Sequence, residues 1–159
     1  MYKRNVEAMI KKSSLIVMII AALEAVFSVL MAISQYQNAK ELSSDFFKIM
    51  LSYSIEMLFN GATYIIEMII FYRILRSGRP FTNGNIMAVR AIAALSFTGG
   101  VVSALIRYSA DIPLVMSFIS SAFSIFGAVV FLFFAEIMRY GRLLQNESDE
   151  TLRGERLCQ

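Results

Sequence analysis

The sequence contains no histidine, no tryptophan, two prolines and a single cysteine, Cys158. Without histidine and with one thiol it cannot assemble the His/Cys ligand sets of zinc sites, which leaves only carboxylate sites for hard cations. One cysteine also excludes an intrachain disulfide framework and any thiol relay that needs a pair. Cys158 is far from every apolar run and reads as a tail thiol rather than a lipidation site. Charge is scarce as well: 17% of the 159 residues are charged and 57% are hydrophobic, with a mean hydropathy of +0.62. This composition belongs to the membrane class and bounds the chain at one domain, residues 1–159. A net charge of +3 would suit nucleic acid or anionic lipid. The cations flank apolar runs and form no basic face, which argues against direct nucleic-acid contact.

What is present is a set of four apolar runs, at about residues 14–33, 49–72, 86–106 and 112–138. Each meets or exceeds the roughly 20 residues that carry a helix across a bilayer, so an all-α four-transmembrane-helix bundle is predicted. The first run is longer than a signal-peptide core and is expected to stay as a span. Residues 34–48 are polar and predict an outer loop with a short interfacial helix. Between the second and third runs, residues 73–90 carry Arg73, Arg76, Arg79 and Arg90 and no acid. In that connector Gly78 and Pro80 should end one helix, and Thr82 or Asn83 should cap the next. Asp111 and Pro113 suit a tight turn before the fourth span. The leader, the connector and the tail at 139–159 hold twelve of the fifteen Lys and Arg residues. By the positive-inside rule both termini are expected in the cytoplasm, with Lys40, Lys48 and Arg107 outside.

Polar residues inside the runs are the candidate functional groups. Glu56, Asn60, Thr63 and Glu67 recur every three or four residues and share one helical face, close to Tyr64. A carboxylate exposed to hydrocarbon is costly, so this face should look into the bundle or a wet cavity. Glu24 falls near the midplane of the first span, at the depth of Asn60, where a protonated carboxyl could be hydrogen-bonded to Asn60 or an ionised one could sit in water. Glu67, Arg90, Glu136 and Arg139 fall near the inner boundary and form either a charge cluster or a set of snorkelling side chains. Tyr36, Tyr53, Tyr72, Tyr108 and Tyr140 lie at span ends and replace the missing tryptophans as interface anchors. Small residues line the remaining faces: Ala21, Ala25, Ser28 and Ala32, with Glu24 on the same side of the first span; Ser96, Gly100, Ser103 and Ala104; Ser117, Ser120, Ser121, Ser124, Gly127 and Ala128. Such faces are packing seams where helix backbones approach closely.

Two pieces of the chain, Gly78-x-Pro80-Phe81-Thr82 with Asn85 and Arg90, and Glu136-x-x-Arg139-Tyr140-Gly141 followed by Leu144-Gln145, Glu147, Asp149 and Thr151-Leu152, carry a family likeness. With the spacing of the spans, they resemble an uncharacterised family of small bacterial four-span integral membrane proteins, a domain of unknown function. Ser148 and Glu150 depart from its pattern, which has Asn and an aliphatic residue there. The resemblance implies the bacterial cytoplasmic membrane and, because such proteins are often encoded beside a small helix-turn-helix regulator, membrane-linked regulation. It transfers no catalytic or binding residue.

The expected function is therefore a regulatory or scaffolding membrane protein that offers the connector and tail to a cytoplasmic partner. The alternative is a small proton- or ion-coupled transporter using its intramembrane carboxylates. No nucleophile–base pair is recognisable, so no enzyme activity is expected, and no cofactor or metal. Candidate partners are the lipid bilayer, a cytoplasmic regulatory protein and further copies of the chain. Orientation is directly testable: reporters fused within residues 78–85 and after Gln159 should report cytoplasm, and fusions near Lys40 and Asp111 the outside. An outside signal at 78–85 would reverse the charge argument.

Overall fold

A computed structural model describes residues 2–39 and 43–157, with side chains from Ala8 to Ser148 apart from residues 40–42, and at Glu150 and Thr151. Its helices are α1 (Tyr2–Ala39), α2 (Ser44–Ser77), α3 (Asn83–Tyr108), α4 (Leu114–Ser120) and α5 (Ala122–Leu157). Helices α1, α2, α3 and α5 are each long and apolar enough to cross a membrane. The chain is thus an all-α, multi-pass membrane protein.

The helices overrun the predicted spans at most ends, and the sparse breakers explain it. No glycine precedes Gly61 and no proline precedes Pro80. Nothing in residues 2–39 therefore halts α1, which reaches about 57 Å at roughly 1.5 Å per residue. The polar residues 34–39 extend α1, and 44–48 open α2, so the interfacial helix predicted in this stretch is not a separate element among the described residues. α2 ends where expected: Gly78 takes φ 67°, a left-handed conformation that suits glycine, and its N–H bonds Ile74 O. Thr82 Oγ1 caps α3 by accepting from Asn85 N. Asn85, fully buried, donates from Nδ2 to Pro80 O at 3.0 Å and pins the turn from inside.

The fourth span departs from its prediction in a different way. It starts at Leu114 and breaks at Ser121, whose N–H turns back to Phe118 O. The break separates α4 from α5, and α5 then runs without interruption through the tail. A positive φ at Asp111 makes the sharp bend between α3 and α4.

Packing follows the small-residue seams. Ala21, Ala25, Ser28 and Ala32 are buried where α1 meets α2, and Gly61 of α2 sits against Ser28 and Ala25. Ser96, Gly99, Gly100, Ser103 and Ala104 are buried on α3. The order is α1 on α2, α2 on α3, and α3 on α4 and α5; the backbones of α1 and α5 do not approach each other. The bundle is open on one side. At the connector end an apolar cluster of Ile70, Ile74, Ile86, Val89, Ile92 and Ala135 gathers Ile10, Phe71, Phe131 and Met138 around it, so all four long helices meet there. The outward surface is apolar, with Phe123 as much as 91% exposed. That surface faces lipid, where burial of apolar area gives little drive and close packing and hydrogen bonds hold helices together. All five tyrosines expected at span ends are exposed.

The tightest contact is at Gly99, where an added Cβ would stand 2.8 Å from Phe59 Cβ. Gly99→Ala should destabilise the fold by ~1–3 kcal/mol through overpacking. Gly127→Ala meets nothing within 4 Å and should be neutral or mildly stabilising. Reversible unfolding in lipid bicelles checks both; equal losses at the two sites would contradict this packing.

Candidate functional site

The most elaborate polar arrangement surrounds Arg107, in the last turn of α3 and only 1% exposed. Its burial follows from register. Ser96, Gly100, Ser103 and Arg107 are spaced by four, three and four residues, so Arg107 continues the small-residue face toward α2 and the fourth span. Small side chains along that face leave room for the guanidinium.

Every edge of the guanidinium fork is engaged. Nε donates to Ser52 Oγ at 2.9 Å, and Nη1 donates to Ser120 Oγ at 2.6 Å and Ser121 Oγ at 3.0 Å. Nη2 donates to Glu56 Oε2 at 2.7 Å, an ion pair whose side chains are 2% and 14% exposed. The other carboxylate oxygen, Oε1, accepts from Ser124 Oγ at 2.7 Å. Arg107 Cζ also stands 4.4 Å from the Tyr53 ring centroid, within cation–π range. The serines orient themselves by donating elsewhere: Ser52 Oγ to Ile49 O and Ser120 Oγ to Ser117 O. Ser103 Oγ, one turn before Arg107, donates to Ser52 O. Four of the five guanidinium N–H groups and both Glu56 oxygens thus have partners. The site joins α2, α3, α4 and α5, and it spans the break at Ser121.

Arg107 is the residue that sequence reasoning misplaced. The third span was expected to end at Ile106, which assigned Arg107 to the outer turn. The overlooked signal was the spacing of Ser96, Gly100 and Ser103, whose next step is Arg107. Glu56, by contrast, was a candidate from the start, and Arg107 supplies its missing counter-charge.

The other predicted polar residues separate into two groups. At the connector end Arg90 Nη2 meets Glu136 Oε1 at 2.5 Å, and Arg139 Nη1 meets Glu136 Oε2 at 3.3 Å. These three side chains are 41–64% exposed, and no ion pair among the described residues joins Glu67 to them. Midway along the α1–α2 seam, Glu24 lies within electrostatic reach of both Tyr64 and Glu67. Glu24 is exposed, whereas Glu67 is intermediate. No hydrogen bond joins Glu24 to Asn60 among the described residues; the Asn60 carbonyl accepts from Thr63 Oγ1 at 2.8 Å. The polar stripe of α2 is thus divided, Glu56 serving Arg107 and Glu67 lying within electrostatic reach of Glu24 on α1. No group of three His, Cys, Asp or Glu residues able to hold a metal occurs among the described residues.

Chemically, the Arg107 site is a buried, extensively hydrogen-bonded ion pair in a region of low dielectric. A buried pair can contribute little net stability, yet removing one partner strands the other charge at a cost of ~3–5 kcal/mol. Arg107→Ala should therefore destabilise the fold by ~3–5 kcal/mol. Arg107→Lys should restore only part of that, because an ammonium cannot span Ser52, Glu56 and the two serines of the break. Arg90→Ala, whose partner Glu136 stays solvated, should leave the unfolding midpoint nearly unchanged. Unfolding curves of the three variants in lipid decide the order; an Arg90 effect equal to that of Arg107 would contradict it.

Comparison with protein-family models, with curated proteins and with solved structures finds no match, so function is read from this chain's own residues.

Proposed function

We propose that the chain is a small bacterial cytoplasmic-membrane protein, with both termini inside, that acts as a regulatory or scaffolding partner of a cytoplasmic protein such as a transcriptional regulator. The observation that carries this reading is the path of α5. Beyond Met138, where the apolar run of the fourth span ends, α5 continues as helix to Leu157, about 28 Å at roughly 1.5 Å per residue. Its exit is fastened to the connector: Phe81 packs on Gly141, where even a Cβ would come within 3.2 Å of the ring, and Arg142 hydrogen-bonds Asn83. A projecting helix held in fixed register to the membrane is suited to present a surface. That surface alternates acids, bases and leucines, with Leu143, Leu144 and Glu147 exposed.

A second reading, a proton- or ion-coupled transporter, draws on Glu24 and Glu67, two carboxylates within reach of each other. Glu56 supports it less, because Arg107 and Ser124 occupy both of its oxygens.

A photo-crosslinking residue placed at Leu144 or Glu147 in native membranes tests the first reading. It should yield a discrete adduct with a soluble protein, whereas the same residue at Phe123 should not. Absence of any adduct, together with a proton-dependent flux in proteoliposomes that is lost in Glu24→Gln, would replace it by the second.

A further inference from the structure

The connector end contains a cleft that neither reading uses. It lies between the start of α3 and the exit of α5, encloses about 530 Å3, and is lined by Asn83, Ile86, Met87, Arg90, Arg139 and Arg142. The volume is within the ~300–1,000 Å3 range of ligand sites. Three guanidinium groups face it, and among the described residues the one carboxylate bonded to them is Glu136, shared by Arg90 and Arg139. Arg142 is held by a neutral partner, the Asn83 carbonyl oxygen Oδ1. The cleft therefore carries an excess of about two positive charges. The positive end of the α3 dipole points the same way, since Asn83 opens that 26-residue helix.

Guanidinium forks match phosphate oxygens in geometry as well as charge. The surroundings indicate where the phosphate comes from. Met87 in the cleft wall is 63% exposed, and Tyr140 beside Arg139 is an exposed interface tyrosine. From Arg90 the same face of α3 runs inward through Ala94 and Phe97. From Glu136 the same face of α5 runs inward through Leu132, Phe133 and Val129. All of these are exposed and apolar. The two rows form a lane leading from the arginines into the hydrocarbon, which is where acyl chains attached to the phosphate would lie.

We propose that this three-arginine cleft binds the phosphate of an anionic phospholipid, with its acyl chains along the α3–α5 lane. The site stands whichever function the chain serves, because it depends only on the membrane boundary at this end.

The test is native mass spectrometry of the full chain released from bilayers containing phosphatidylglycerol and phosphatidylcholine in equal amounts. Phosphatidylglycerol should be retained preferentially. Arg139→Gln with Arg142→Gln should weaken that retention by about thirtyfold, as expected for two arginines near the surface. Glu136→Gln should strengthen it, since it releases Arg90 and Arg139 from their carboxylate; this second, opposite change separates binding from simple damage to the fold. Arg76→Gln, a connector charge outside the cleft, should leave it unaltered. Equal retention of the two lipids would overturn the proposal, as would an equal loss in Arg76→Gln. Complete displacement of the lipid by millimolar inorganic phosphate would overturn it in favour of a free-phosphate site.

Discussion

The arrangement of this protein depends on burying one charge well. Arg107 brings a guanidinium into a membrane protein's interior, where leaving it without partners would be prohibitive. Glu56 on α2 and three serines at or near the break in the fourth span answer that demand, so the helices that carry them must stay together. The opposite end of the bundle is held by other means, an apolar cluster centred on Ile74, Ile86 and Ile92. α2 and α3 are thus joined by polar bonds at one end and by dispersion at the other. In a bilayer, where the hydrophobic effect does not drive helices together, the polar end adds directional bonds that packing alone cannot give.

This dependence also accounts for the irregular fourth span. A backbone break within a bilayer is tolerated where the freed polar groups are buried in protein. Ser120 and Ser121 flank the break and turn their hydroxyls to Arg107, so the break and the buried charge occur together. α1 has no share in this network; its backbone approaches α2, and only its first turns, at Ile10, reach the apolar cluster of the connector end. Glu24 is exposed, lies within electrostatic reach of Glu67, and has no ion pair among the described residues. That asymmetry separates Glu56, which is bound to Arg107 and Ser124, from Glu24 and Glu67, which take no part in the Arg107 network.

Much of the fold was legible in the sequence because its causes are local. Apolar runs of sufficient length marked the four spans, Gly78 and Pro80 marked the connector turn, and the cap was narrowed to Thr82 or Asn83, of which Thr82 serves. The small-residue faces marked the seams. The misplaced features have non-local causes. Arg107 looked like a loop cation because a charge after an apolar run ordinarily belongs to water; its partners are 51 and 55 residues away on α2 and 13 away on α4. The length of α1 and α5 escaped prediction because polar residues without glycine or proline are compatible with either helix or loop, and only the absence of a breaker favours helix. Of the seven intramembrane candidates, Glu56 gained a role from a residue that had not been chosen. Arg90, Glu136 and Arg139 meet at the connector end, and among the described residues Glu24, Asn60 and Glu67 join neither site.

The central claim is that the Arg107 guanidinium is held rigid and shielded by its partners. Nitrogen-15 NMR of arginine-labelled protein in lipid nanodiscs reads this directly, with the Arg107 signals assigned by their loss in Arg107→Lys. The account predicts separate Nε–H and Nη–H resonances that exchange slowly with water at neutral pH, because Ser52, Ser120, Ser121 and Glu56 restrain rotation about the Nε–Cζ bond. A single averaged Nη signal exchanging rapidly with water would show a solvated, mobile guanidinium and contradict it.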